Sequence, residues 1–136
     1  MSRARPETSS SKQRGERGSV SIELVILLPA LFAVMFLGMQ AALFYHARTV
    51  AIAAAQEGAR AASGENGKSS DGTIAASTFI TDAGGDSVLS GASATANRTT
   101  TTVTVTVTGH SLSVIPGWNP TITQSASLPV ERLTAP

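Results

Sequence analysis

The sequence predicts an α+β protein with a long N-terminal helix, a short second helix and a small antiparallel sheet of about three strands. Three observations lead to this fold class: an uncharged apolar run from Leu24 to Tyr45, small residues that continue at helical spacing beyond it, and an alternation of valine and threonine near the C-terminus. The first two patterns are typical of helices and the third of a half-buried strand. A chain of 136 residues has room for one modest folded domain.

The first segment, residues 1–18, is predicted to be a disordered cytoplasmic leader that is removed by cleavage. It is rich in Ser, Arg and Glu, a composition that buries little apolar surface. Its basic residues outnumber its acidic ones, with Arg3, Arg5, Lys12, Arg14 and Arg17 against Glu7 and Glu16. Charges beyond Tyr45 are dispersed, so the positive-inside rule places the N-terminus in the cytoplasm and exports most of the chain.

Residues 19–45 are predicted to form a single transmembrane helix. The uncharged run has the length that a helix needs to cross a hydrocarbon core of roughly 30 Å. A cleaved secretory signal is the less favoured interpretation, because its apolar core is usually shorter than this run. Pro29 removes a hydrogen bond and its ring meets the carbonyl of Val25, which predicts a kink; a transmembrane proline without functional meaning is the equal alternative.

Residues 46–64 are predicted to continue this helix outside the membrane. Small residues recur there at every third or fourth position, so one face of the helix can approach another element closely. Packing of this face on the chain's own C-terminal domain is favoured over contact with another subunit, and both can hold at different heights. Within the membrane, a small-xxx-small pair suits helix association. The predicted helix-packing residues are Gly38, Ala42, Ala47, Ala51, Ala55 and Gly58.

Residues 65–136 are predicted to fold as a small extracytoplasmic α+β domain. Gly64 and the following "ENGKSSDG" supply a left-handed cap that ends the long helix. The stretch "TIAASTFITDAG" predicts a short helix that ends at Gly84 and Gly85. Strands are predicted from near Val88, in "TTTTVTVTVTGH" and in "TITQSASLPVERL", with the valines of the second strand, Val103, Val105 and Val107, on one buried face.

Side chains suited to catalysis or to binding a cofactor or metal form no recognisable motif. The chain has no cysteine, and its two histidines, His46 and His110, have no neighbours at metal-ligand spacing. A net charge of +1 gives no basic surface for nucleic acid. The only tryptophan, Trp118 in "IPGWNP", is predicted to cover the sheet edge, with a binding contact as the alternative. The sequence therefore predicts a protein that is not an enzyme.

Glu23 is an acidic residue at the edge of the apolar run. A carboxylate drawn into the bilayer edge costs about 1–3 kcal/mol, so it either stays at the interface or meets a positive group in an assembled state. The pattern "RGSVSIEL" resembles the type IV prepilin signal, in which a prepilin peptidase cuts after a glycine and leaves a glutamate as the fifth mature residue. Gly18 matches that glycine, Ser19 the new first residue and Glu23 the fifth.

The longer stretch "VSIELVILLPALFAVMFLGMQAALFYHARTVAIAAAQEGARAAS" resembles the TadE-like family of type IV (Flp/Tad) pseudopilins and minor pilins. This resemblance implies a pilin-like fold and cleavage by a prepilin peptidase after Gly18. It also implies that the new amine of Ser19 meets Glu23 of a neighbouring subunit, which offsets the cost of burying either charge. Leu24 stands where Flp-type major pilins usually have an aromatic residue, and this departure favours a minor pilin or pseudopilin.

The expected function is assembly of a tight-adherence (Flp-type) pilus or a related secretion apparatus. The expected partners are the membrane, the prepilin peptidase, other pilin or pseudopilin subunits and the assembly machinery, without nucleic acid. The expected location is the cell membrane, in a single pass, with or without incorporation into a surface pilus. The alternative is a signal-anchored membrane protein whose extracytoplasmic domain binds a ligand, in which case Gly18 and Glu23 match by coincidence.

Overall fold

The computed structural model describes residues 2–4 and 12–134. The chain divides into two compact units, Met1–Leu37 and Gly38–Pro136. Its elements, in chain order, are helices α1 (Lys12–Ser63) and α2 (Ser69–Asp82), a 3-10 turn (Gly85–Ser87), and strands β1 (Leu89–Arg98), β2 (Thr102–Ser111) and β3 (Thr121–Pro129). This order of a long helix, a short helix and a three-stranded antiparallel sheet confirms the predicted α+β class.

The N-terminal unit consists of the first half of α1. The sequence predicts disorder through Gly18, whereas the helix begins at Lys12; the predicted leader's residues 5–11 lie outside the described residues. Lysine, glutamine, arginine and glutamate all have good helix propensity, and adding a residue to an existing helix costs far less than starting one. The apolar helix is therefore extended backwards into the basic segment. Pro29 lies inside α1, which continues on both sides of it.

The apolar side chains of this unit find no cover within it, and every residue from Arg17 to Leu37 is exposed. By length and composition, Arg17–Ser63 contains a stretch that is able to cross a membrane, and it is the one such helix among the described residues. An exposed apolar surface of this length on a single helix marks a contact with a membrane or with another protein. The N-terminal apolar helix indicates membrane anchoring.

The C-terminal unit packs the second half of α1 and helix α2 against one face of the sheet. Strand β2 is central and pairs antiparallel with both neighbours. Val103 of β2 lies opposite Arg98 of β1, and His110 of β2 lies opposite Thr121 of β3. The predicted alternation holds, because Val103, Val105 and Val107 are buried in the core while the threonines between them are partly exposed. On the outer face, Thr104 and Thr106 each pair through a hydroxyl hydrogen bond of 2.8 Å with serines of β3.

The core against these valines is made largely of alanine, which permits a close approach of the helices. A Cβ atom placed on Gly58 of α1 would lie 2.6 Å from the carbonyl oxygen of Gly72 in α2 and 3.0 Å from Cγ1 of Val105. Real Cβ atoms are not found so close to a backbone oxygen. The two helices therefore cross with their backbones in contact, and only glycine fits at position 58.

The C-terminus of α1 is capped differently from the prediction. The helix ends at Ser63, but no positive φ occurs at Gly64 or Asn66, so the predicted left-handed cap is wrong. The guanidinium of Arg98 instead donates hydrogen bonds to the carbonyls of Ala62 and Gly64, both at 2.9 Å, and the backbone N–H of Glu131 donates to the carbonyl of Ser63 at 2.8 Å. Carbonyls at the end of α1 are thus satisfied by a side chain of β1 and by the backbone just after β3.

Candidate functional site

Gly18, the predicted cleavage residue, lies on the surface of α1. It is exposed, its φ is negative, and a Cβ atom added there would meet nothing within 4 Å. Glycine inside a helix is destabilising by about 0.5–1 kcal/mol relative to alanine. Neither backbone conformation nor packing in the described chain requires glycine at this position.

Glu23 lies one helical turn beyond Ser19 on the same side of α1, because residues four apart share a face. Both residues are exposed, and Glu23 makes no ion pair with the described part of the chain. The carboxylate therefore stands at the edge of the apolar run with its charge uncompensated by those residues. A positive group from outside this segment can reach it without displacing an existing contact.

The predicted helix-packing residues fall into two groups. Ala47, Ala51, Ala55 and Gly58 are buried against α2 and the sheet of the same chain. The small-xxx-small pair is different: Gly38 and Ala42 are exposed, and a Cβ atom on Gly38 would meet nothing within 4 Å. The small residues from Ala47 to Gly58 are thus covered by the chain's own domain. Gly38 and Ala42 are available for contact with another molecule.

Gln40 is a buried polar residue that the sequence analysis did not single out. It is 2% exposed, and its amide forms three hydrogen bonds with the segment that follows β2. Its Nε2 donates to the carbonyl of Leu112 at 3.3 Å, and its Oε1 accepts from the backbone N–H of Val114 at 2.9 Å and from the hydroxyl of Ser113 at 3.1 Å. Gln40 thus fixes one end of the sheet to α1. A signal existed in the sequence, since Gln40 is the one amide side chain in the run from Leu24 to Tyr45.

The segment held by Gln40 is the loop between β2 and β3, residues 112–120. The Ser113 hydroxyl accepts from the N–H of Ile115 at 3.0 Å, and the N–H of Trp118 donates to the Ile115 carbonyl at 3.3 Å. Gly117 has a φ of 78°, the left-handed conformation that glycine adopts at no steric cost. These bonds give the loop a defined shape, in which Trp118 is 49% exposed. The loop thus leaves half of the indole uncovered.

Comparison with known proteins bears on the first half of the chain. Residues 18–60 match the family model described as TadE-like protein. This segment is therefore similar to TadE-like proteins. No curated protein and no solved structure matches the chain. The match covers about a third of the residues and begins at Gly18, so the resemblance predicted from the sequence is confirmed.

The TadE-like segment contains every residue singled out for processing, assembly and helix packing, from Gly18 to Gly58. It also contains Gln40, whereas the loop bound by Gln40 lies outside it. TadE-like proteins are pilin-like proteins associated with the Tad pilus, and the family is not known for enzymatic activity. Among the residues that the structure describes, no group of three or more His, Cys, Asp or Glu side chains is placed to hold a metal ion.

Proposed function

We propose that this protein is a TadE-like pseudopilin or minor pilin that is processed by a prepilin peptidase after Gly18 and takes part in assembling a Tad (Flp-type) pilus or a related secretion apparatus. The observation that carries the proposal is the family match that starts at Gly18. An exposed helical glycine without a structural reason, one residue before Ser19 and five before Glu23, supports it.

Cleavage requires the peptide bond between Gly18 and Ser19 to leave the helix and enter a peptidase site. Glycine lowers the cost of that opening, because it stabilises the helix less than any residue except proline. A bulky side chain at position 18 keeps the helix closed and also enlarges the group that the peptidase must accept. We therefore expect Gly18→Leu to block processing and Gly18→Ala to slow it.

After cleavage, Ser19 carries a positively charged amine at the start of the apolar helix. The amine and the Glu23 carboxylate are each expensive to bury alone, at about 1–3 kcal/mol or more at the membrane edge. An ion pair between the amine of one subunit and Glu23 of its neighbour offsets this cost only when the two helices are in the correct register. Glu23 thus selects correctly aligned subunits during assembly.

The orientation that fits this function places the N-terminus in the cytoplasm and the chain from His46 onward largely outside. The basic residues before Ser19 favour it through the positive-inside rule. The prepilin peptidase then meets Gly18 at the cytoplasmic surface, and the exposed pair of Gly38 and Ala42 faces other helices in the bilayer. The partners are neighbouring pilin or pseudopilin subunits and the assembly machinery.

The deciding experiment is mass spectrometry of the N-terminus of the membrane-extracted protein, from cells with and without the candidate prepilin peptidase. A mature chain that starts at Ser19 only when the peptidase is present is the expected result. An intact N-terminus in both strains contradicts processing and returns the protein to the signal-anchored class. A start beyond Ala41 means that an ordinary signal peptide was removed, and it contradicts the membrane anchor as well.

The role of Glu23 is tested separately, in cells that assemble the pilus. Glu23→Ala is expected to be cleaved normally and to lower pilus assembly, because the amine of Ser19 loses its partner. Glu23→Asp is the matched control. It keeps the negative charge on a shorter side chain, so it should retain part of the pilus assembly. Normal assembly with Glu23→Ala would contradict the pairing.

A further inference from the structure

We propose that the β2–β3 loop, residues 112–120, is a second membrane contact, which enters the outer interface of the lipid bilayer with Trp118 at the level of the headgroups. The proposal rests on membrane anchoring of α1. It does not require cleavage after Gly18 or assembly into a pilus.

The position of Gln40 along α1 is the first step. Between Glu23 and Gln40 the helix has about 16 apolar residues, which span about 24 Å at 1.5 Å per residue. The hydrocarbon core of a bilayer is about 30 Å thick. A bilayer whose inner edge lies at Glu23 therefore extends roughly four residues past Met39, to about Leu43. The Gln40 side chain then lies at the depth of the outer acyl chains.

An amide at that depth needs hydrogen-bond partners, since lipid tails provide none. The loop supplies all three partners of Gln40 through Leu112, Ser113 and Val114. Residues that bond directly to Gln40 share its depth to within the length of a side chain. The start of the loop is thus held at the outer boundary of the hydrocarbon.

The composition of the loop suits this position. No Asp, Glu, Lys or Arg occurs between Arg98 and Glu131, so the loop brings no charge to the bilayer. Leu112 and Trp118 are both exposed in the chain, at 36% and 49%. Tryptophan favours the membrane interface because its ring is apolar and its indole N–H needs a polar partner. Tyr45, 62% exposed on α1, is an aromatic residue at the same end of the apolar run.

Lipid fits this surface better than a protein partner does. With α1 as the membrane anchor, Gln40 lies in a helix segment that the outer leaflet covers, and the loop bonds directly to this residue. The start of the loop is therefore held next to lipid. Trp118 at half exposure matches a ring that is partly immersed and partly among headgroups.

Trp118 is the only tryptophan in the chain, so its fluorescence reports the loop directly. The full chain is reconstituted into phosphatidylcholine nanodiscs in which a fraction of the lipid carries bromine at a shallow or at a deep acyl position. Discs that fail to retain the protein would show that the membrane anchor itself is wrong, which also overturns the proposal. In discs that retain it, we expect shallow bromine to lower Trp118 emission by about two-fold or more, and deep bromine to quench less, as for an interfacial ring.

The matched control moves the probe away from the membrane. In the variant W118F/I74W, the tryptophan lies on α2 at a position that is 64% exposed. Its emission should be quenched by iodide in solution and unaffected by either brominated lipid. Two results for Trp118 would overturn the proposal: quenching by iodide without quenching by brominated lipid, which means a loop in water, and quenching by neither, which means a loop covered by protein, such as a second copy of the chain.

Discussion

The close contact between α1 and α2 predicts different losses of stability when Gly58, Gly72 and Gly38 are each replaced by alanine. Replacing Gly58 by alanine brings a Cβ atom to 2.6 Å from the carbonyl oxygen of Gly72, where ordinary contact begins at about 3.4 Å. The helices must separate by several tenths of an ångström, and overpacking of this kind costs about 1–3 kcal/mol. Alanine regains up to about 1 kcal/mol of helix propensity. The expected net destabilisation of Gly58→Ala is about 1–2 kcal/mol.

Two other glycines provide the matched comparisons. At Gly72 the nearest atoms to an added Cβ lie at 3.1 and 3.2 Å, so Gly72→Ala should cost less than Gly58→Ala. At Gly38 nothing lies within 4 Å, so Gly38→Ala should leave stability unchanged or raise it slightly. Thermal unfolding of the full chain in detergent, followed by circular dichroism, measures the order. A loss of 1 kcal/mol corresponds to about 4–8 °C in a domain of this size. Equal melting temperatures for Gly58→Ala and Gly38→Ala would refute the close crossing of the helices.

Two further substitutions test the bonds that join α1 to the sheet. Arg98→Lys keeps the charge but loses the fork that reaches the carbonyls of Ala62 and Gly64, so we expect a loss of about 1–3 kcal/mol and faster amide exchange near Ser63, measured by hydrogen–deuterium exchange. Unchanged exchange there would contradict the cap. Gln40→Leu leaves the N–H of Val114 unpaired, so we expect a loss of about 1–3 kcal/mol and new proteolytic cuts within residues 112–120, absent from the wild-type chain. A protease-resistant loop in this variant would show that other contacts hold it.

The parts of the fold that the sequence predicts are those in which burial leaves a local period. Strand β2 has one face on the helices and one outward, so valine and threonine alternate and both the strand and its buried face are visible in the sequence. The apolar run of α1 is equally plain. The pattern predicts a short helix within residues 73–84 that ends at Gly84 and Gly85, and helix α2 spans Ser69–Asp82. In each case the pattern lies within the element itself.

Contacts between distant parts of the chain were not predictable in this way. The cap on α1 comes from Arg98, which is 36 residues from Ala62, and nothing near Gly64 indicates it. The partners of Gln40 lie 72 to 74 residues away, so its isolation in the apolar run signals a special role without naming the partner. The spacing of the small residues on α1 is compatible with packing on the chain's own C-terminal domain and with contact with another subunit. Its burial from Ala47 upward depends on where the sheet folds back.

The predictions for processing and assembly rest on resemblance to a family, whereas the predictions for the fold rest on patterns of burial. Gly18, Ser19 and Glu23 were identified by resemblance to a signal, and the family match includes all three. The roles proposed for them involve a peptidase and neighbouring subunits. The isolated chain contributes a narrower fact: Gly18 is a glycine that the described fold does not need.

The attachment of the sheet to α1 at two ends has a mechanical consequence. Gln40 and Ala62 are separated by about 33 Å of helix, and a strand of ten residues such as β2 has nearly the same length. A force that pulls along the axis of α1 is therefore shared between the helix and a strand that runs beside it. Stretching this part of the helix would require shearing the valine and alanine contacts along its whole length, together with both sets of end bonds. The sheet therefore stiffens α1 against tension and bending between Gln40 and Ala62.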